Sequence, residues 1–264
     1  MESLAYDTMT NMEWSRALHP VRRSWEMALD VVFPPRCTFC SIELNLPHTS
    51  IFLCQSCRLK LTQTAKSTCL RCGAPQTARL SDDDKCGHCR NLTFQFSKVI
   101  PYGWYRGELK QSVKRMKYVN DDPLVASIAQ LAADHWTVPL TEFSPDLVVP
   151  VPAYWYRRFQ RGTHSPDLFA LQIARNLRTT ALCRLLYCCR KTKKQSMLPP
   201  VERILNVEGA FRITKGYDVR GARIVLVDDV LTTGATANAA TKSLLVAGAA
   251  NVAVAVVARA LSNQ

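Results

Sequence analysis

Ile224-Val225-Leu226-Val227-Asp228-Asp229-Val230-Leu231-Thr232-Thr233-Gly234-Ala235-Thr236 decides the reading of this chain. Its four opening apolar residues, mostly β-branched, predict a strand buried on both faces, the habit of strands in a parallel sheet. Two carboxylates follow at once, then a hydroxyl-rich loop built around one glycine. Ala237 to Val246 continues as a predicted helix that stops near Gly248.

At the carboxyl end of a parallel strand, the N–H groups of a tight loop and of the next helix's first turn form a cradle for an anion. The hydroxyls of Thr232, Thr233 and Thr236 add donors suited to a phosphate. Asp228 and Asp229 stand just upstream, where carboxylates accept hydrogen bonds from sugar hydroxyls. A monophosphorylated ribose fits both halves. Neither a P-loop nor a dinucleotide fingerprint is present, because no Gly-Lys-Ser/Thr follows the glycine and the spaced glycines are missing. A plain strand-to-helix turn capped by Asp and Thr is the bland alternative; two adjacent acids and three hydroxyls exceed what a cap requires. The stretch resembles the phosphoribosyl pyrophosphate (PRPP) motif of type I phosphoribosyltransferases. That resemblance implies that Asp228 and Asp229 hold the ribose hydroxyls at a catalytic centre, and that Thr232, Thr233, Gly234, Ala235 and Thr236 hold the 5′-phosphate.

A chain of 264 residues with a net charge of +13 can build a substantial core and favours anionic partners, either nucleic acid or a phosphorylated small molecule. No apolar run reaches transmembrane length, and the acidic, polar start lacks the regions of a signal peptide, so a cytoplasmic protein without membrane insertion is expected. Residues 1–32 read as a marginal segment with one short helix, which the two prolines of Phe33-Pro34-Pro35-Arg36-Cys37 bring to a stop.

Eight of the eleven cysteines form four Cys-x-x-Cys pairs: Cys37/Cys40, Cys54/Cys57, Cys69/Cys72 and Cys86/Cys89. The first two pairs recur in the last two at an offset of 32 residues, an internal repeat. Within each copy thirteen residues separate the knuckles, the pattern of a tetrahedral Cys₄ zinc ribbon. A disulfide framework is disfavoured by the cytoplasmic reading. Sequential sites, Cys37, Cys40, Cys54, Cys57 and Cys69, Cys72, Cys86, Cys89, are favoured over an interleaved brace because the repeat makes each half self-contained. With all four positions filled by thiolates, both zincs are structural, and His48 and His88 are loop residues.

Downstream, Phe94 to Tyr105 reads as a strand, and Gly107 to Tyr118 as an amphipathic helix whose Lys110, Lys114, Arg115 and Lys117 mostly suit a solvated face. A helix is predicted over Asp121 to Trp136 and a strand over Asp146 to Pro152, followed by Arg157, Arg158 and Arg161, which suit a pyrophosphate at the sheet's carboxyl edge. Another helix spans Ser165 to about Leu177, and a strand Leu182 to Cys188. The basic run Cys189 to Ser196 is compatible with a lid over a reactive sugar and equally with a loop that meets DNA phosphates.

Phe33-Pro34-Pro35-Arg36-Cys37, the paired knuckles, Lys117-Tyr118, Val149-Pro150-Val151-Pro152, Arg157-Arg158 with Arg161-Gly162, Gln195, Glu202-Arg203 with Asn206, Gly209-Ala210-Phe211 and the PRPP motif stand in the order seen in ComF-family proteins. The resemblance spans nearly the whole chain. It implies an α/β fold, a type I phosphoribosyltransferase-like parallel sheet flanked by helices over residues 94–264, preceded by a double zinc ribbon over 33–93. It also implies PRPP binding with Mg²⁺, transfer of the phosphoribosyl group to an acceptor, and a role in DNA uptake. No separate hood for an acceptor base is evident, so a second reading stays open: a non-catalytic adaptor that binds single-stranded DNA and DNA-processing proteins through its ribbons and basic surface.

Overall fold

The computed structural model describes residues 34–44, 51–62, 67–76, 86–118, 121–154, 165–193 and 198–261. The amino-terminal segment 1–32, the arginines Arg157, Arg158 and Arg161, Gln195 and His48 lie outside the described residues. In chain order the elements are α1 (Gln55–Leu61), β1 (Lys98–Trp104), α2 (Gly107–Arg115), α3 (Asp122–Phe143), β2 (Leu147–Pro150), α4 (Ser165–Leu177) and β3 (Thr180–Ala181). They continue with β4 (Leu186–Cys188), α5 (Pro200–Val207), β5 (Phe211–Ile213), β6 (Arg223–Leu231), α6 (Ala235–Val246) and β7 (Asn251–Arg259).

Five strands form a wholly parallel sheet in the order β1-β7-β6-β2-β3, while β4 and β5 make a separate antiparallel ribbon. Alternation along β6 and β7 feeds two cores. Ile224, Leu226, Val252, Val254 and Val256 pack on one face, and Val225, Val227, Ala253, Ala255 and Val257 on the other. The second set sits under α2, α3 and α4, the first under α6 with Ala237, Ala240 and Leu244. Trp136 of α3 and Phe169 of α4 meet edge to face, ring centroids 6.5 Å apart.

β6 runs further than its apolar tetrad, through Asp228-Asp229 to Leu231, because β7 pairs with it from Arg223↔Asn251 to Leu231↔Arg259. α3 likewise passes the expected end at Trp136 and takes Pro139 into its interior. An interior proline costs roughly 3 kcal/mol. Burial of Leu140 and Phe143 beyond it, each worth about 1.5–3 kcal/mol, offsets that cost. The strand expected over Leu182 to Cys188 is split: β3 lies earlier and closes the sheet edge, and only Leu186–Cys188 remains, paired with β5.

The sequence repeat is visible as a repeat of backbone bonds. Cys37 N–H donates to Ile42 O and Ser41 N–H to Cys37 O in the first ribbon; Cys69 N–H donates to Ala74 O and Gly73 N–H to Cys69 O in the second. Short bridges Arg36↔Glu43 and Thr68↔Pro75 close the two knuckles. The copies nevertheless serve opposite faces of the sheet. Cys37, Leu44, Leu53, Cys57 and Leu61 belong to the α3 side, whereas Cys69, Cys72, Cys86, Cys89, Phe94 and Phe96 belong to the α6 side. The second knuckle also covers the edge of the sheet, since Val99 N–H of β1 donates to Leu70 O at 2.7 Å. Gly73 permits that approach: its φ is +69°, and a Cβ there would stand 2.8 Å from Val99 Cγ1.

Among the described residues no helix is long and apolar enough to cross a membrane. Trp136 is fully buried, and its Nε1–H finds no acceptor. Trp136→Ala should therefore lower stability by about 3–5 kcal/mol. Urea unfolding should show a clearly smaller loss for Trp136→Phe, which keeps most of the ring and removes an unsatisfied donor.

Candidate functional site

After β2 the chain turns to α4 on one face of the sheet; after β6 it turns to α6 on the other. The neighbours β2 and β6 thus flank a topological switch point, and ligands of open parallel sheets bind in the crevice at its carboxyl end. Asp228 and Asp229 sit there on β6, beside Pro150-Val151-Pro152 at the end of β2, where Val151 N–H donates to Val227 O at 2.8 Å. Thr232, Thr233 and Gly234 connect β6 to α6, whose first residue is Ala235 and whose first turn holds Thr236. The two acids and the loop Thr232 to Thr236 are accordingly brought together.

Gly234 is required twice over. Its φ is +81°, and a Cβ on it would lie 2.9 Å from Phe94 Cε1. One residue on from Phe94, Gln95 N–H donates to Asn238 Oδ1 of α6 at 2.6 Å. The end of the second ribbon therefore buttresses the loop from outside.

The acids are not equivalent. Asp229 N–H donates to Asp228 Oδ1 at 2.8 Å, while Asp229 Oδ2 meets Lys117 Nζ at 3.2 Å. Desolvation of its carboxyl group, followed by the neighbouring Asp229 charge, pushes Asp228 well above the usual carboxylate range, although the residue keeps part of its surface exposed. Burial pulls the Lys117 ammonium down, but Asp229 more than offsets this and the net displacement is upward. The two carboxyl groups thus differ in their surroundings: Asp229 faces a cation, and Asp228 faces its neighbour's backbone N–H.

Lys117 and Arg115 depart from the expected solvated face. Both follow the last buried turn of α2, and Ser165 Oγ at the start of α4 donates to Met116 O between them at 3.1 Å. Arg115 forks onto Asp121 and donates to Thr38 O at 2.6 Å and Phe39 O at 3.2 Å, which ties α2 to the first knuckle. On the other side Arg259, only 6% exposed, ends β7. Its Nε donates to Cys72 O at 2.7 Å, and its Nη1 to Leu231 O at 3.0 Å, Thr232 O at 2.6 Å and Ala260 O. Sequence reasoning passed over Arg259; the available signal was a lone charge closing an otherwise apolar strand.

The cysteine sulfurs gather in two sequential quartets, Cys37, Cys40, Cys54, Cys57 and Cys69, Cys72, Cys86, Cys89, each with all ligand atoms within 4.8 Å of one another. Four thiolates about 2.3 Å from zinc at tetrahedral angles stand about 3.8 Å apart. Cys40–Cys54 is 3.7 Å, Cys69–Cys89 3.9 Å, Cys72–Cys86 3.5 Å and Cys86–Cys89 3.8 Å, so the donor set fits structural zinc. Burial raises the Cys37 thiol, yet backbone N–H groups of Cys54, Cys40 and Phe39 outweigh it and bring it to about 6. Burial likewise pushes Cys57 and Cys72 upward. A divalent cation removes the conflict by holding all four sulfurs as thiolates. His88 is exposed.

Residues 28–90 match the double zinc ribbon domain and residues 168–264 the phosphoribosyl transferase domain. The chain is thus a phosphoribosyltransferase-fold protein with a double zinc ribbon before it. DNA utilization protein YhgH of Escherichia coli strain K12 is 29% identical over 84% of this chain and 95% of that protein. Competence protein F of Haemophilus influenzae is 28% identical over 85% of this chain and 97% of its own length. Competence protein ComFC of Bacillus subtilis is 29% identical, over 75% and 80% respectively. The chain thus carries both domains in this order and is similar to these competence and DNA utilization proteins along most of its length. A solved purine phosphoribosyltransferase from Pyrococcus horikoshii overlaps 61% of this chain and 87% of that one, at 18% identity and a TM-score of 0.32. The fold assignment stands on the sheet order and the domain match instead.

Folding raises the Asp228 pKa, so the folded chain holds this proton more tightly than the unfolded one. Below the ordinary carboxylate range both states are protonated and the residue carries no penalty. As pH climbs from that range towards the raised folded value, only the unfolded chain releases its proton, and stability falls by up to about 1.4 kcal/mol per pH unit. Urea unfolding across that interval should show a steeper decline for the wild type than for Asp228→Asn.

Proposed function

We propose that the crevice binds PRPP, or a closely related phosphoribosyl ligand, and transfers its phosphoribosyl group to an acceptor. The observation that carries this reading is the unequal acid pair at the end of β6, with Lys117 fixed on Asp229 and the threonine loop immediately beyond. A ribose offers hydroxyls that both donate and accept. Asp229, oriented by Lys117, accepts from one of them, and Asp228 engages the other. Thr232, Thr233, Thr236 and the first-turn N–H groups of α6 take the 5′-phosphate. Arg157, Arg158 and Arg161 follow β2 in the chain and suit the pyrophosphate.

In the transfer the C1–O bond to pyrophosphate breaks, a bond from C1 to the acceptor forms, and the acceptor gives up a proton. Mg²⁺ bound together with PRPP would offset the charge of the departing pyrophosphate. Positive charge grows on the ribose as that bond lengthens, and Asp229, which this reading sets against the ribose hydroxyls, opposes it. Positioning supplies most of the rest. The names of the relatives support a setting in DNA uptake or DNA utilization for this chemistry.

Calorimetric titration of Mg²⁺-PRPP into zinc-loaded protein tests the reading. Saturable binding is expected, weakened at least about tenfold in Asp228→Asn/Asp229→Asn by the loss of charge-assisted hydrogen bonds. Absence of binding to folded wild type would refute it.

A second reading has its own observation. Arg58 and Lys60 on α1 and Lys110 and Lys114 on α2 are exposed on two helices in contact, within a chain of net charge +13. Such a face suits the phosphates of single-stranded DNA. Affinity for an oligonucleotide should fall steeply with salt and its slope should shrink by about 0.7 per lysine replaced by glutamine at Lys110 or Lys114. A slope unaltered by both replacements would remove this face from DNA binding.

A further inference from the structure

We propose that Arg259 is a positioning residue through which zinc in the second cysteine quartet sets the order of the Thr232–Thr236 loop. The inference rests on the reading of that loop as a phosphate cradle and adds a control to it. One buried guanidinium bonds at once to the carbonyl of Cys72, a ligand-bearing knuckle residue, and to the carbonyls of Leu231 and Thr232, where the loop leaves β6. Arginine's rigid fork suits this task, because its donors are fixed relative to each other and one group cannot move without the others. Arg259 is only 6% exposed, so losing a carbonyl partner is costly for its guanidinium.

Two further contacts join the same pieces: Phe94 against Gly234, and Gln95 N–H on Asn238 Oδ1. Arg71, inside the second knuckle, donates to Phe94 O at 3.2 Å, so these contacts are anchored on the same metal loop. Zinc fixes the Cys69–Cys72 turn through two thiolates, and that turn holds Arg259 in place. Without the metal the turn is released, the Cys72 carbonyl leaves the guanidinium, and the fork re-forms on whatever acceptors remain. The first quartet is held differently. Its arginine, Arg115, joins Thr38 and Phe39 to Asp121, on the opposite face of the sheet. Ribbons with the same cysteine spacing thereby hold unequal positions with respect to the loop.

Hydrogen exchange resolved over residues 230–237 tests this, with bound zinc counted in each variant. Amides of the loop should exchange at least about fivefold faster in Cys86→Ser, which breaks the second quartet, than in wild type. Arg259→Lys keeps the charge, loses the fork, and should retain both zincs while showing the same faster exchange. Cys54→Ser, which breaks the first quartet, should leave the loop at the wild-type rate. Amides of Val148, Val225 and Leu226 report the sheet and should stay protected throughout. Unchanged loop exchange in Arg259→Lys, an equal effect of Cys54→Ser, or loss of protection across the whole sheet would each overturn the proposal. None of these measurements uses PRPP. Failure of PRPP to bind would thus dismiss the phosphoribosyl reading and leave this coupling to stand or fall by exchange alone.

Discussion

Burying β6 on both faces is the constraint from which the rest of the structure follows. A strand with apolar side chains above and below must lie inside a sheet covered on two sides, and parallel pairing with β7 and β2 supplies that position. The chain then has to place helices on both faces, so the connections after β2 and β6 diverge and leave a crevice where they part. Carboxyl groups at the end of such a strand cannot all keep their water. Asp228 is desolvated beside its neighbour, Asp229 pairs with Lys117, and two unlike carboxyl groups share the end of the strand.

Much of this was legible in the chain because it was written in local signals. The apolar tetrad before Asp228, the hydroxyl loop, the helix after it and the two cysteine copies each follow from spacing and residue type. α4 was bounded correctly by Ser165-Pro166-Asp167, a cap and a proline at the first turn. The errors arose where distant partners overrode local preference. The helix expected to end at Trp136 runs on through Pro139, because burial of Leu140 and Phe143 carries α3 past it. Lys117 and Arg115 looked like solvent-facing charges on an amphipathic helix; their partners, Asp229 and the first knuckle, are remote in sequence. Arg259 closes an apolar strand, and only the folded sheet brings Cys72 and Thr232 within its reach.

Covering two faces also explains how the ribbons are used. A zinc ribbon has little core of its own, and its apolar residues need a neighbour. Here Leu53 and Leu61 join the helices α3 and α4, whereas Phe94 and Phe96 join α6 and the threonine loop. The second knuckle in addition occupies the open edge of β1, where a parallel sheet would otherwise present unpaired N–H groups to solvent or to another chain.

A duplicated segment usually yields two interchangeable beads. Placing the copies astride a sheet removes that freedom, because each has become the lining of a different hydrophobic layer. Gly73 abuts Val99 while its counterpart, Ser41, reaches a similar left-handed backbone with no glycine. Exchanging one copy for the other would bring a side chain into the Val99 contact, and grafting the pair onto an unrelated host would carry over two half-covered surfaces. The ribbons are symmetric as text and asymmetric as parts.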